Sequence, residues 1–120
     1  MSTILGDIKS LMGSYYDGED FDKTFILHIN TVFAELRILG AGPKDGFSIS
    51  TGTETWDSFS DNDNLNRLIK TYIFLKVSML FDPNGTAAVL NTLKEEIAKY
   101  EFLIMVEVET MPITNPTEGG

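Results

Sequence analysis

Apolar residues recur at helical spacing in four stretches of this 120-residue chain. The clearest stripe lies in the second stretch and consists of Phe25, Ile29, Val32, Phe33, Leu36 and Leu39, mostly three or four residues apart. Such spacing places side chains on one face of an α-helix. Together with the capping residues, the pattern predicts helices over about 4–12, 22–39, 64–81 and 86–102.

Glycine and proline mark the predicted helix ends. Gly13 and Gly40 follow the first and second stretches, and Asp82-Pro83-Asn84-Gly85 separates the third from the fourth. Residues 40–57 contain several glycines and short apolar–polar alternations, which predict either a long loop or a loop closed as a short β-hairpin across "STGT". A loop of this length in a small domain is usually functional or mobile.

The exit from the fourth helix has a different pattern. Residues 105–109 alternate apolar and polar like an extended strand, and the remaining residues are rich in proline and glycine. The predicted fold is therefore all-α: a small bundle of about four helices, with the long loop or hairpin between helices two and three and an extended C-terminal tail. Residues 1–104 would form the helical domain and residues 105–120 an extended or flexible arm.

Two of the predicted helices carry apolar side chains away from their core stripes. On the second helix Leu27, Ala34 and Ile38 lie opposite the core stripe, and on the third helix Phe74 and Phe81 lie outside the core arc. Other segments of the bundle could cover them, or neighbouring subunits could. Because only two further helices exist and one is short, we expect subunit contacts at Leu27, Ile38, Phe74 and Phe81.

Composition narrows the possible functions. The formal net charge is −9, which argues against binding to a phosphate backbone. The charge either keeps the protein soluble or repels a passing polyanion. There is no cysteine and only one histidine, His28, so no thiolate metal site or histidine-based catalytic set can be assembled. We therefore expect no enzymatic activity, no cofactor and no metal.

Further features complete this picture. Lys76 lies on the core arc and is predicted to reach solvent or to pair with a carboxylate, and Trp56 is predicted to anchor the loop on the helical body. The apolar run over residues 71–81 is too short to cross a bilayer, and the first residues lack the pattern of a signal peptide. No membrane partner is expected.

Three segments together resemble a known protein family. They are "INTVFAELRILGAGP", "TETWDSF" and "YIFLKVSMLFDP", and with their surroundings they span about residues 21–102. The chain resembles the gp6-like head–tail connector (adaptor) proteins of long-tailed bacteriophages. It departs from the pattern of many relatives at the end of the last helix, where "YEFLI" replaces an acidic-aromatic-arginine ending.

The resemblance implies a structural role in the neck of a virion that is assembled in the host cytoplasm. Subunits of this kind form a ring, usually of twelve copies, beneath the portal protein. The ring extends the DNA channel, through which DNA passes without specific binding, and it provides a platform for the stopper or head-completion protein.

Under that reading, the loop and the exit segment are the candidate docking arms. The docking residues are expected to be Phe47, Ile49, Trp56, Leu103, Ile104, Val106 and Val108. The acidic candidates for the channel wall are Asp45, Glu54, Asp57, Asp61 and Asp63. An alternative remains open: an acidic phage-encoded adaptor or regulator that binds a basic protein as a monomer or dimer.

Overall fold

Five α-helices follow one another in the part of the chain that the structure describes. The structure, a computed structural model, describes residues 2–81 and 86–110. The helices are α1 (Ile4–Met12), α2 (Asp22–Ile38), α3 (Trp56–Phe59), α4 (Asp63–Phe81) and α5 (Ala87–Thr110), and two 3₁₀ turns, Ser14–Tyr16 and Glu19–Phe21, join α1 to α2. Within the described ranges the only β-type pairing is an isolated bridge between Thr3 and Thr55. The predicted all-α class is confirmed.

The ends of α1 and α2 show why the sequence sets these boundaries. The Thr3 hydroxyl accepts a hydrogen bond of 3.0 Å from the Gly6 N–H and caps α1. Gly40 has a φ of 87°, and the N–H of the following Ala41 reaches back to the Leu36 carbonyl at 3.0 Å. This is a Schellman ending, in which glycine takes the left-handed position without steric cost.

The central helix is α4, which packs against α1, α2 and α5. The hydroxyl group of Tyr72, in α4, donates a hydrogen bond of 2.9 Å to the Glu101 carboxylate of α5. At the opposite end of the same pair, the Asn62 amide donates to Glu107 at 3.1 Å. Since the start of α4 meets the end of α5, the two helices are antiparallel. Burial raises the pKa of Tyr72, and the neighbouring Glu101 raises it further.

Helix α2 is also antiparallel to α4. The Phe25 ring, near the start of α2, stacks on Phe81 at the end of α4 with 4.5 Å between centroids. Towards the end of α2, Glu35 forms an ion pair of 3.0 Å with Lys76, which confirms the predicted carboxylate partner of this lysine. Because α2 and α5 both oppose α4, they run in the same direction.

The core is built from the predicted stripes. The α2 residues Phe25, Ile29, Val32, Phe33 and Leu36 are all buried, and α1 adds Ile4, Leu5 and Ile8. The side chains that α4 and α5 bury are Leu65, Asn66, Ile69, Tyr72, Ile73, Leu75, Val77, Ile97 and Ile104. Burial of apolar area on this scale is the main term that stabilises a small domain.

Of the two predicted alternatives, the hairpin across "STGT" does not form, because residues 40–55 contain no strand. The Glu54 carboxylate takes the place of a partner strand: it accepts hydrogen bonds from the backbone N–H groups of Ser50, Thr51 and Gly52 at 2.7, 3.2 and 3.0 Å. These bonds satisfy donors that a hairpin ladder would otherwise need to pair.

The predicted extended exit is wrong for residues 105–110, which belong to the last turns of α5. The alternation of Val106 and Val108 fits a strand, but Ile97, Ile104 and Val108 also lie on one helical face. That face packs on the core, so tertiary contacts select the helix. The expected domain boundary after residue 104 therefore falls inside α5. The predicted flexible tail, residues 111–120, and the break at residues 82–85 lie outside the described residues.

Candidate interaction surfaces

Helix α2 presents an apolar stripe away from α4. Leu27 is 63% exposed and Ile38 is 83% exposed, and the smaller Thr31 and Ala34 lie exposed between them. We call these four residues the α2 outer face. The Ile38 side chain is so exposed that its burial contributes almost nothing to the stability of the subunit. The structure thus places two of the predicted contact residues, Leu27 and Ile38, on one open surface.

Helix α5 presents a second apolar stripe that the sequence analysis missed. Phe102 is 65% exposed, and Ala98, Met105 and Val106 are exposed beside it. We call these four residues the α5 outer face. The strand predicted over residues 105–109 does not place these four side chains on one face. The helical spacing of Ile97, Ile104 and Val108 is the signal that could have shown it, because Phe102 and Val106 lie opposite that stripe.

A groove of about 280 Å³ lies between α1, α4 and α5. It is lined by Leu11, Met12, Tyr16, Phe74, Ser78, Phe81, Val89 and Leu93. Phe74, a predicted contact residue, is half-buried here and packs against the core. Leu11 and Val89, both about half exposed, flank it.

Phe81 has a different position from the one expected. Besides stacking on Phe25, its ring contacts Tyr16 at 5.3 Å and His28 at 5.5 Å, both edge-on. The 3₁₀ turns between α1 and α2 bring Tyr16 over the end of α4, and this cover could not be read from the heptad spacing of Phe74 and Phe81. Phe81 therefore packs in an aromatic cluster at the end of α4 and also lines the groove, and its role in subunit contacts stays a prediction.

The loop residues expected to dock a partner are largely used within the subunit. Ile49 is 2% exposed and Trp56 is buried. The Trp56 indole N–H donates to Asp7 at 2.7 Å, which confirms the predicted anchoring of the loop on the helical body. Phe47 is half-buried, with its ring edge-on to Phe33 at 5.0 Å. Because the side chains of Ile49 and Trp56 are buried against the helical body, they offer no docking surface on the subunit.

The exit residues divide between the two sides of α5. Ile104 is fully buried, and Leu103 and Val108 are half-buried. Val108 lies beside Gly40, where an added Cβ would meet its methyl group at 3.5 Å. Only Val106 of this predicted docking set is exposed. The helical turn explains the split, because it rotates successive residues by about 100° instead of alternating them.

The acidic candidates are mostly open to solvent. Asp45, Asp57, Asp61 and Asp63 are exposed. Asp57 and Asp63 border one shallow depression that also contains Arg67 and Lys70, whereas Asp45 lies in the turn after α2.

Glu54 is the exception among the acidic candidates. Burial by itself would raise its pKa, but hydrogen bonds from the backbone of residues 50–52 and its own backbone lower the pKa of Glu54 to about 2. Its charge therefore stabilises the loop, and a place on the channel wall stays a prediction for Glu54.

A comparison with protein families decides the identity of the chain. The profile described as phage connector protein matches residues 4–111, which is nearly the whole chain. The chain belongs to the phage connector protein family. Comparisons with curated proteins and with solved structures give no significant match. Membership assigns a structural connector role in a bacteriophage particle, in assembly with other head or tail proteins, and it confirms the sequence resemblance at the level of the family.

The helices were also compared with the requirements of a membrane span. In residues 2–81 and 86–110, no helix is both long and apolar enough to cross a membrane.

Proposed function

We propose that the chain is a gp6-like head–tail connector subunit that forms a ring, expected to contain twelve copies, beneath the portal protein. The ring extends the DNA channel and carries the stopper or head-completion protein in the neck of the virion. The observation that carries this proposal is the family match over residues 4–111. The family match supports the general connector role, and we propose the ring and its contacts with portal and stopper as the specific form of that role.

The distribution of apolar surface supports a ring. The α2 and α5 outer faces lie on different helices, and each is turned away from the central helix α4 that both helices pack against. A closed ring needs two different, complementary surfaces on each subunit, so that every copy contacts one neighbour through each. A subunit with a single open patch would instead pair into a dimer.

The charge distribution supports a channel through which DNA moves. The chain carries a formal net charge of −9, and Asp57, Asp61 and Asp63 lie exposed close together in sequence around the start of α4. Duplex DNA carries one charge per roughly 1.7 Å of its axis, so a basic wall would hold it. An acidic wall repels the phosphates and lets the DNA slide.

Co-expression with the portal protein of the same phage tests the proposal. The expected result is a complex that purifies as one species and shows, by electron microscopy, a second ring coaxial with the portal ring. Portal expressed alone is the control and should show one ring. The stopper protein added to the complex should bind, whereas it should not bind portal alone.

The same experiment separates the adaptor alternative. An acidic regulator would purify as a monomer or dimer with a basic partner and would leave the portal ring unchanged. Absence of the subunit from purified phage particles, measured by mass spectrometry, would also contradict the connector proposal.

A further inference from the structure

The α2 and α5 outer faces carry charges at matching intervals. Lys23 and Arg37 lie fourteen positions apart on α2, at the two ends of its exposed apolar stripe. Glu95 and Glu109 also lie fourteen positions apart on α5, where they bracket the exposed Phe102. Fourteen residues of helix span about 21 Å and return to nearly the same face. The α2 outer face therefore has two cations, and the α5 outer face has two anions with the same separation beside one further exposed cation, Lys94.

These four charges are available for contacts between subunits. All four side chains are exposed, and none belongs to an ion pair among the described residues. Arg37 uses its Nε to donate to the Lys44 carbonyl at 3.1 Å, which holds the side chain against the loop after α2 and leaves its terminal nitrogens without a described partner. The one cation near the centre of the α5 outer face, Lys99, already lies 3.9 Å from Glu96.

We infer that the α5 outer face of one subunit packs on the α2 outer face of a second copy of this chain. The inference rests on the proposed ring and specifies its contact. Exposed Leu27, Ile38 and Phe102 supply apolar area, which is the main source of free energy in such contacts. The charges set register and partner choice, because exposed ion pairs add little affinity but like charges are strongly disfavoured.

The direction of the helices fixes the register. In the subunit α2 and α5 run the same way, since both are antiparallel to α4. In a ring of twelve, neighbouring subunits differ by a rotation of about 30°, so α2 of one copy and α5 of the next must meet nearly parallel. The parallel arrangement places Lys23 opposite Glu95 and Arg37 opposite Glu109.

The parallel register also matches large side chains to small ones. It brings Ala34 level with Val106, and it brings Leu27 between Ala98 and Phe102. Phe102 then lies within one residue of the level of Thr31, in the space between Leu27 and Ala34. Alternation of large and small residues across facing positions lets two helices approach to the 8–10 Å that helix packing requires.

Cysteine cross-linking tests the contact and its register, because the chain contains no cysteine of its own. The double variant Ala34→Cys, Val106→Cys should cross-link under oxidation into a ladder of dimers, trimers and larger species on a denaturing gel. Ala34→Cys, Ala98→Cys is the matched control. It places the second thiol two turns away on the same exposed face and should give no ladder, since a disulfide requires Cα atoms within about 7 Å.

The outcomes distinguish this contact from other arrangements. Each single variant alone should stay largely uncross-linked, and strong dimers from one of them would show an isologous contact and overturn the inference. A ladder from the 34–98 pair in place of the 34–106 pair would overturn the parallel register. The reaction is run with the subunit alone at high concentration and again with portal present, and absence of a ladder in both overturns the contact.

Charge reversal provides an independent measurement. Lys23→Glu with Arg37→Glu should weaken self-association by at least about tenfold at low salt, and so should Glu95→Lys with Glu109→Lys. The variant that combines all four exchanges should recover most of the loss, because it restores opposite charges across the contact. No recovery overturns the pairing. If the wild type forms a ring coaxial with portal and the charge variants assemble equally well, the inferred contact is overturned but the proposed function stands. If the wild type forms no ring with portal, the proposed function fails as well.

Discussion

The side-chain amide of Asn30 holds the backbone of Ile49 by two hydrogen bonds. The Asn30 Nδ2 donates to the Ile49 carbonyl at 2.8 Å, and the Ile49 N–H donates to Asn30 Oδ1 at 2.7 Å. One side chain thus supplies both bonds that a partner strand would supply. Together with burial of the Ile49 side chain, this contact makes the loop after α2 a fixed part of the body.

We expect Asn30→Ala to lower the free energy of unfolding by about 2 kcal/mol, because it leaves both backbone groups of Ile49 without their partners. Urea denaturation followed by circular dichroism measures the change. Thr31→Ala, at the exposed neighbouring position, is the control and should change stability by less than about 0.5 kcal/mol. Equal effects of the two substitutions would show that the Asn30 contact contributes little.

A second prediction separates Phe81 from Ile38, which the sequence placed in the same class. Phe81→Ala removes a ring that packs on Phe25, Tyr16 and His28, and it should destabilise the subunit by about 3 kcal/mol. Ile38→Ala should leave the free energy of unfolding nearly unchanged and should weaken self-association. Thermal unfolding and sedimentation velocity of both variants provide the two readouts. A stable Phe81→Ala variant with impaired assembly would restore Phe81 as a contact residue.

The contrast between these two residues shows what the sequence could predict. The stripes of α1, α2 and α4 determine core residues directly, because a three- and four-residue spacing fits one helical face. Exposure of Ile38 follows from the same geometry. The cover of Phe81 depends on Tyr16, sixty-five positions earlier in the chain, and no local pattern encodes that contact.

Two other errors have related causes. Ile104, Val106 and Val108 fit a two-residue alternation, and Ile104 and Val108 also fit a helical turn, so a short apolar run leaves both structures open. The loop after α2 was predicted to be a docking arm on the basis of the family resemblance. Its position is set by hydrogen bonds from Asn30 and Glu54 to the backbone, which a hydrophobic pattern does not register.

The third prediction concerns pH and Glu54. Because the folded pKa is lowered to about 2 from an ordinary 4.5, the carboxylate stabilises the fold above about pH 4.5, and this contribution is lost as the pH falls towards 2. Glu54→Gln should therefore be less stable than the wild type at neutral pH, and the difference should shrink on acidification. Denaturant unfolding at a series of pH values measures it. Thr53→Ala, in the same loop, should keep the wild-type pH dependence.

The fourth prediction concerns the end of α5. A chain that stops after residue 102 loses the fully buried Ile104 and the Asn62–Glu107 hydrogen bond, so its free energy of unfolding should fall by at least about 3 kcal/mol. A chain that stops after residue 110 keeps both contacts and is the control. Thermal denaturation compares the two with the full chain. Wild-type stability of the shorter chain would instead show that residues 103–110 contribute little to the fold.

The last prediction concerns DNA and follows from the acidic surface. The purified subunit should show no measurable affinity for duplex DNA at physiological salt, because a net charge of −9 opposes the phosphates. Fluorescence anisotropy with a labelled duplex tests this directly. Tight, salt-sensitive binding by the wild type would contradict a passive channel wall and would indicate a nucleic-acid-binding role.

A charge variant extends this test to the particle. Exchange of Asp57, Asp61 and Asp63 for lysine changes the net charge from −9 to −3, since each exchange adds two charges. All three positions are exposed, so the fold should persist, as circular dichroism can verify. If these residues line the channel, a ring of such subunits carries a dense belt of lysine that should retain DNA. Particles should then assemble but eject their DNA more slowly than the wild type.

An equally exposed control, Glu19→Lys with Asp20→Lys on the 3₁₀ turn before α2, adds four charges in another part of the chain. Slower ejection from both variants would show a general effect of charge, whereas slower ejection from the first alone would place the start of α4 on the channel wall.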